Sequence, residues 1–284
     1  MPNTIKMYYS KLQNMGDCLN ELILEQCFGY QAERRSFLEG EICGIGSCLG
    51  QYTLHGTPLM RLQQRINGIR RPHVYIWGTG FINYADGEGK FFKKDMEFCA
   101  VRGELTRRNV ERMTGKKLDI PMADAGILAS ELLPEMPEKQ YEVGIVPHIC
   151  DLKDPALEEL FSQYENAKLI NVKDDPLQVV REIAQCRYII SSSLHGLIVA
   201  DSFHIPNMYL IFGERLLGDG YKFEDYYSAY GLQPQPRDMR TEKAPTIEEI
   251  ESKYQILPEM VEEKKRQMKE AFPFPARKEK WDGR

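Results

Sequence analysis

Apolar residues fall along this chain in short bursts, and amphipathic stretches separate the bursts. The bursts at 5–9, 41–45, 73–77 and 97–101 are too short for buried helices and are bounded by turn residues, so each predicts a strand. Behind the turn Asn14-Met-Gly-Asp17, where Asp17 is a fair cap, Leu19, Leu22, Ile23 and Cys27 recur at helical spacing. Thr57-Pro58 opens a second helix that ends at Gly68, and a third over 104–113 stops at Gly115. Strands alternating with helices predict a parallel, doubly wound sheet.

Two prolines among the polar residues of 134–140 break the alternation and read as a linker. It then restarts, with strands at 142–146, 169–172, 188–190 and 207–212 and helices over 155–164 and after Asp175-Pro176. The expected organisation is an N-terminal α/β half over 1–133, the linker, a C-terminal α/β half over 141–232, and a loop, helices and tail over 233–284. A cleft between the halves is the expected ligand site. In the tail, Thr246-Ile-Glu-Glu249 fits a capping box. A charged helix over 257–271 carries a narrow apolar stripe, and Phe272, Phe274 and Trp281 are available to dock the end.

Candidate chemistry concentrates in 187–206, RYIISSSLHGLIVADSFHIP. A buried strand runs into Ser191, Ser192 and Ser193, then Leu194-His195-Gly196 opens a helix that Pro206 stops. Free N–H groups at such a helix start suit an anion, and their positive end favours neutral imidazole at His195. Taken alone, the stretch reads equally well as a cap beside a satisfied core histidine.

With 37 Lys or Arg against 42 Asp or Glu, the net charge is −5, which argues against a general nucleic-acid binder. No apolar run is long enough to span a bilayer, and the first residues lack the layout of a secretion signal. Seven cysteines without C-x-x-C spacing point to a reducing, cytoplasmic setting, each a small buried side chain. The turns Gly44-Ile-Gly46 and Gly78-Thr-Gly80 fail the dinucleotide fingerprint at its third glycine, and no phosphate-loop, H-E-x-x-H, G-x-S-x-G or D-x-D pattern is present.

SSSLHGLIVADSFHIP resembles the signature segment of the polysaccharide pyruvyl transferase family. Asn14-Met-Gly-Asp17, Gly44-Ile-Gly-Ser47, Trp77-Gly-Thr-Gly80, Val101-Arg-Gly-Glu-Leu-Thr106 and Val146-Pro-His148 resemble other parts of that family in the expected order. The resemblance implies two Rossmann-like domains with parallel sheets in a GT-B-like arrangement, followed by C-terminal helices. It also implies transfer of the pyruvyl group of phosphoenolpyruvate onto hydroxyls of a sugar in a surface polysaccharide, exopolysaccharide or capsule, or in a lipid-linked precursor. Phosphoenolpyruvate is then a co-substrate, and no cofactor or metal is expected. Peripheral membrane association stays open, and the sequence is silent on oligomeric state. A nucleotide-sugar glycosyltransferase on the same architecture, or a non-catalytic sugar- or phosphate-binding protein, are the alternatives.

Under the resemblance His195 is the general acid or base, with Asp17 a base or only a cap. Arg102 is the candidate for the donor's charge, against a surface arginine paired with Glu104 or Glu97. Ser191, Ser192, Ser193, Leu194 and Gly196 complete the donor side. Asn14, Gly16, Gly46, Ser47, Gly78, Thr79, His148, Asp124 and Lys222 are expected to line the acceptor cleft. Loops 51–56 and 84–94 are expected to set acceptor choice, and Arg107, Arg108, His55 and His73 to be structural. Many family members resemble R-L-H where this chain has Ser193-Leu-His195, so another cation, Arg215 or Lys222, or the serine hydroxyls and helix N–H groups, must serve the donor.

Overall fold

The computed structural model describes residues 4–10, 14–69, 71–213 and 219–275. Its strands form two five-stranded sheets, parallel throughout. The first holds β1 (Thr4–Tyr8), β2 (Gln31–Arg34), β3 (Ile42–Cys43), β4 (Val74–Trp77) and β5 (Met96–Ala100), in the order β2-β1-β3-β4-β5. The second holds β6 (Tyr141–Val146), β7 (Ala167–Leu169), β8 (Cys186–Ser191), β9 (Asn207–Ile211) and β10 (Arg237–Asp238), in the order β10-β9-β8-β6-β7. Counted within each half, these are the same order, 2-1-3-4-5. The sweep of the chain reverses between β1 and β3, and again between β6 and β8. Such switch points open a crevice at the carboxyl ends of the strands.

The helices are α1 (Met15–Phe28), α2 (Pro58–Ile69), α3 (Tyr84–Glu88), α4 (Glu104–Thr114), α5 (Pro155–Ser162), α6 (Pro176–Ala184), α7 (Leu194–Ser202), α8 (Tyr221–Ser228), α9 (Ile247–Lys253) and α10 (Pro258–Glu270). None among the described residues is long and apolar enough to cross a membrane. The α9 capping box forms in full, Thr246 and Glu249 each accepting the other's backbone N–H. Asn14, not Asp17, caps α1, so Asp17 lies inside the first turn with its carboxylate free for other work.

Several boundaries depart from the pattern-based expectation. β2 reads QAER, a partly exposed strand at the sheet edge with no apolar signal. β10 is two polar residues long and carries the second sheet past 232. β7 sits two residues before the apolar run expected at 169–172. Part of the 84–94 loop is helical as α3.

The C-terminal segment returns to the first sheet. Trp77 Nε1 donates to the Met268 carbonyl at 2.9 Å, and Phe272 stacks on Phe28 with ring centroids 3.8 Å apart. The apolar stripe on α10 is therefore buried, with Val261 and Met268 in the same core as Leu19 and Leu197. Trp281 and Arg215 lie outside the described residues.

Candidate active site at the two switch points

Loops leaving β1 and β3 on one side, and β6 and β8 on the other, carry most of the chemistry-bearing residues. The chain after β1 places Asn14, Gly16 and Asp17 at the start of α1, and Met15 N–H donates to the Val172 carbonyl of the second half at 2.8 Å. Buried Asn20 ties this turn to the end of β3, donating to Ile45 O at 3.2 Å and accepting from Ile45 N–H at 2.9 Å. Gly46 has φ 110, and a side chain there would touch Asp17 Oδ1 at 3.4 Å. Burial is the main reason the Asp17 carboxyl rises to about 6, with the Lys222 and Arg34 charges pulling the other way.

Opposite, β6 ends at Val146, two residues before His148, and β8 leads to His195 in the first turn of α7. His195 lies against the backbone of Gly16: a Cβ on Gly16 would fall 2.0 Å from His195 Nδ1, so only glycine allows the contact. Thus the first turn of α1 and the first turn of α7, from opposite sheets, meet at this ring. Its Nε2 is buried and without a hydrogen-bond partner. Burial first, then the neighbouring charges of Lys222, Arg102 and His148, push its imidazolium down to about 3, so the free ring is neutral. His148 is also neutral, held at about 4 by burial and then by Lys222. Its Nδ1 accepts from Cys150 N–H at 3.2 Å, which leaves the proton on Nε2.

The charge of Lys222 on α8 reaches Asp17, His148 and His195, lowering the pKa of all three. Burial, then Arg102, lowers its ammonium to about 8. Asp124 caps a 3-10 segment, Ala125–Leu132, through Gly126 N–H. Its second oxygen is buried without a partner, and burial raises the carboxyl to about 7. A Cβ on Gly126 would stand 3.1 Å from Asp124 Oδ1 and 3.8 Å from His195 Cδ2, so Asp124 borders the histidine.

Five expected positions are engaged within the protein. Arg102 is fully buried, with Nε donating to Asp225 Oδ2 at 2.9 Å, Nη1 to Ser47 Oγ at 2.8 Å and Nη2 to the Phe81 carbonyl at 2.6 Å. Three of its five N–H groups are bonded inside the protein, and its acid is neither Glu104 nor Glu97 but Asp225, which also accepts from Thr106 N–H and Oγ1. Ser191 Oγ donates to the carbonyls of Val146 and Ser193, and Ser192 Oγ to Asp151, so these two hydroxyls brace the turn instead of facing an anion. Thr79 Oγ1 donates to Gly46 O and accepts from Cys48 N–H, lacing two loops together. A Cβ on Gly78 would strike Ala125 N at 2.7 Å, so that turn is packed under the 3-10 segment, not open to the cleft.

Other expected positions keep to the site or its frame. Ser47 stands at its edge as the acceptor for Arg102. Gly196 lets α7 sit against Ser191 and Val146, where a Cβ would meet Ser191 Oγ at 2.4 Å. Ser193 is buried and makes no capping bond, and Leu194 packs in the core, so their contribution to the cleft is the backbone of the helix start. Arg107 and Arg108 pair with Glu104 on the surface of α4, His73 with Asp95, and His55 with the Thr53 carbonyl. Gly80 and Gly103, which sequence reading passed over, make room for the buried pair: a Cβ on Gly103 would overlap the Asp225 carbonyl at 1.6 Å. Among the described residues no group of three or more His, Cys, Asp or Glu is placed to hold a metal ion.

Residues 53–211 match the profile of a family described as polysaccharide pyruvyl transferase. Two curated proteins are similar over most of the chain. One is the uncharacterized protein L143 of Acanthamoeba polyphaga mimivirus, 28% identical over 80% of this chain and 74% of its own. The other is the succinoglycan biosynthesis protein ExoV of Rhizobium meliloti (strain 1021), 25% identical over 82% of this chain and 67% of its own. A solved structure of an uncharacterized protein from Klebsiella pneumoniae subsp. pneumoniae NTUH-K2044 aligns with TM-score 0.45 and 14% identity, over 83% of this chain and 92% of that one. The matched family span includes His148 and His195, while Asp17 and Lys222 lie outside it.

Proposed function

The chain belongs to the polysaccharide pyruvyl transferase family, and from that membership we propose that it transfers the pyruvyl group of phosphoenolpyruvate onto two hydroxyls of a sugar, forming a cyclic ketal. The observation that carries this reading is the contact of Gly16, in the first turn of α1, with His195, in the first turn of α7, beside the switch points of two parallel sheets, a place the Lys222 charge also reaches. In this reading the two halves are Rossmann-like domains facing one another in a GT-B-like manner, and the substrates enter the crevice between them.

The chemistry assigns work to each group. Phosphoenolpyruvate brings a phosphate and a carboxylate, and Lys222 with the free N–H groups at the start of α7 supplies positive character for them. This lysine takes the place of the arginine that many relatives carry at the position of Ser193. One sugar hydroxyl adds to carbon 2 as carbon 3 gains a proton. A second hydroxyl then displaces phosphate from carbon 2. The two hydroxyl protons balance the step, one ending on carbon 3 and one on the released phosphate.

Asp17, ionised above about 6, is the base for the attacking hydroxyl. His195 is neutral before the donor arrives. The donor's negative charge beside it favours imidazolium, so the ring takes a proton only once the complex has formed and passes it to carbon 3. His148, a neutral donor through Nε2, is suited to orient the donor or the acceptor.

The test is to incubate the protein with phosphoenolpyruvate and a panel of galactoside and hexosamine acceptors, with excess chelator present, and to follow phosphate release and acceptor mass. Gain of the ketal mass supports the proposal, including its metal independence. Transfer of a hexose from a nucleotide sugar, or loss of activity on chelation, overturns the corresponding part.

A further inference from the structure

Among the described residues, helix α2 presents a patterned apolar face to solvent. Leu59, Leu62, Ile66 and Ile69 follow one another at i, i+3, i+7 and i+10, which on a helix is a single stripe. All four are exposed, Leu59 and Ile69 at 75% and 78%, and no residue of the helix is buried. The helix is held by its other side. Gln64 Oε1 accepts from His55 N–H at 3.2 Å, and a Cβ on Gly68 would meet Phe92 at 2.9 Å. The apolar stripe therefore points away from the protein.

Charge identifies what the stripe faces. α2 contains Arg61 and Arg65 and no acidic residue. Arg61, Arg65, Lys90 and Lys94 are exposed around it, against exposed Glu88 and Asp95, in a chain whose net charge is −5. Beside the helix, a groove of about 610 Å³ is lined by Arg65, Ile69, Lys90, Phe91, Lys94 and Asp95, so cations and apolar side chains alternate there too. A second copy docked stripe to stripe by two-fold symmetry would set Arg61 and Arg65 against a helix that offers no acid. A surface of anionic headgroups over an apolar interior accepts both parts of the pattern at once.

We infer that α2 is an interfacial helix that seats this protein on an anionic lipid bilayer, its four aliphatic side chains entering the headgroup–acyl boundary and its arginines pairing with lipid phosphate. The inference does not rest on pyruvyl transfer, because it concerns a different surface and is read by lipid binding alone.

The experiment is sedimentation of the full chain with sucrose-loaded vesicles of phosphatidylcholine, alone and mixed with phosphatidylglycerol, at low and high salt. Binding is expected on the anionic vesicles and falls with salt. Leu62→Glu with Ile66→Glu removes two aliphatic anchors, each carrying roughly tenfold in partitioning, so binding drops about 100-fold. Arg61→Gln with Arg65→Gln costs about 30-fold on anionic vesicles and little on neutral ones. Leu62 and Ile66 are 54% and 59% exposed and belong to no buried core cluster, so the thermal midpoint stays put and loss of binding is not loss of fold. Failure of the wild-type chain to bind anionic vesicles overturns the inference, as does equal binding by the Leu62→Glu, Ile66→Glu variant. A concentration-dependent dimer seen by analytical ultracentrifugation, abolished by that same variant and unaccompanied by vesicle binding, overturns it in favour of self-association.

Discussion

Replacing Arg102 separates two readings of the same residue. As a donor ligand, its loss weakens phosphoenolpyruvate binding and leaves the fold alone. In the structure it is a fully buried cation whose fork joins Asp225 of α8 to Ser47 and Phe81 of the first half. Arg102→Ala then strands a buried carboxylate, and breaking such a pair costs about 3–5 kcal/mol. Asp225 keeps two bonds from Thr106, at 2.8 Å to N–H and 2.7 Å to Oγ1, so the lower end applies, about 3 kcal/mol. For a chain this long, that is a fall of roughly 6–12 °C in Tm. Because α8 also carries Lys222, donor binding weakens as well, through lost docking. The assay is urea and thermal unfolding of wild type, Arg102→Ala, and the double variant Arg102→Leu with Asp225→Leu, each with a phosphoenolpyruvate titration. The double variant leaves no uncompensated charge and recovers a large part of the lost stability. An Arg102→Ala protein with unchanged Tm and donor affinity down tenfold would refute the reasoning and return Arg102 to the donor.

Three further outcomes follow from the site. The pH profile of kcat/KM is bell-shaped, rising through about 6 as Asp17 loses its proton and falling through about 8 as Lys222 loses its own; Asp17→Asn lowers the rate and removes the acid limb, and Lys222→Arg moves the alkaline limb upward. His195→Gln keeps its Tm and loses about 10²–10⁴-fold in kcat, so near-normal turnover in single-turnover kinetics removes it from the chemistry. Gly16→Ala puts a Cβ 2.0 Å from the present position of His195 Nδ1, displacing the ring and lowering kcat by about 100-fold; a wild-type kcat would show that the ring does not need that seat.

The alternation of strands and helices was legible because parallel strands covered on both faces write themselves as apolar runs, as β6 and β8 do. Edge strands leave no such trace: QAER of β2 and Arg237–Asp238 of β10 pair on one side only and stay partly wet. The switch points were invisible for another reason. Which strands become neighbours is decided by crossovers between distant segments, so nothing local told that the first turns of α1 and α7 meet at His195. Asn14, Asp17, His148 and His195 read locally only as polar residues in turns, and the family resemblance is what set them on one expected cleft.

The same distinction applies to Arg102. A strand-end arginine followed by Gly103 looks like a ligand, since a short polar turn is where ligands sit. What reverses that reading is Asp225, more than a hundred residues on, and the absence of a side chain at Gly80 and Gly103, which lets the carboxylate reach the guanidinium. Fully buried and bonded through three of its N–H groups, Arg102 presents no atom to solvent. Its charge still acts at a distance, holding the neighbouring Lys222 and His195 toward their neutral forms. A lysine lowered to about 8 remains mostly protonated near neutrality, and an incoming anion raises it again, so donor binding strengthens the very charge that receives it. Under the proposed function the cation for the donor comes from α8, an element tied to the first half by the Arg102–Asp225 pair.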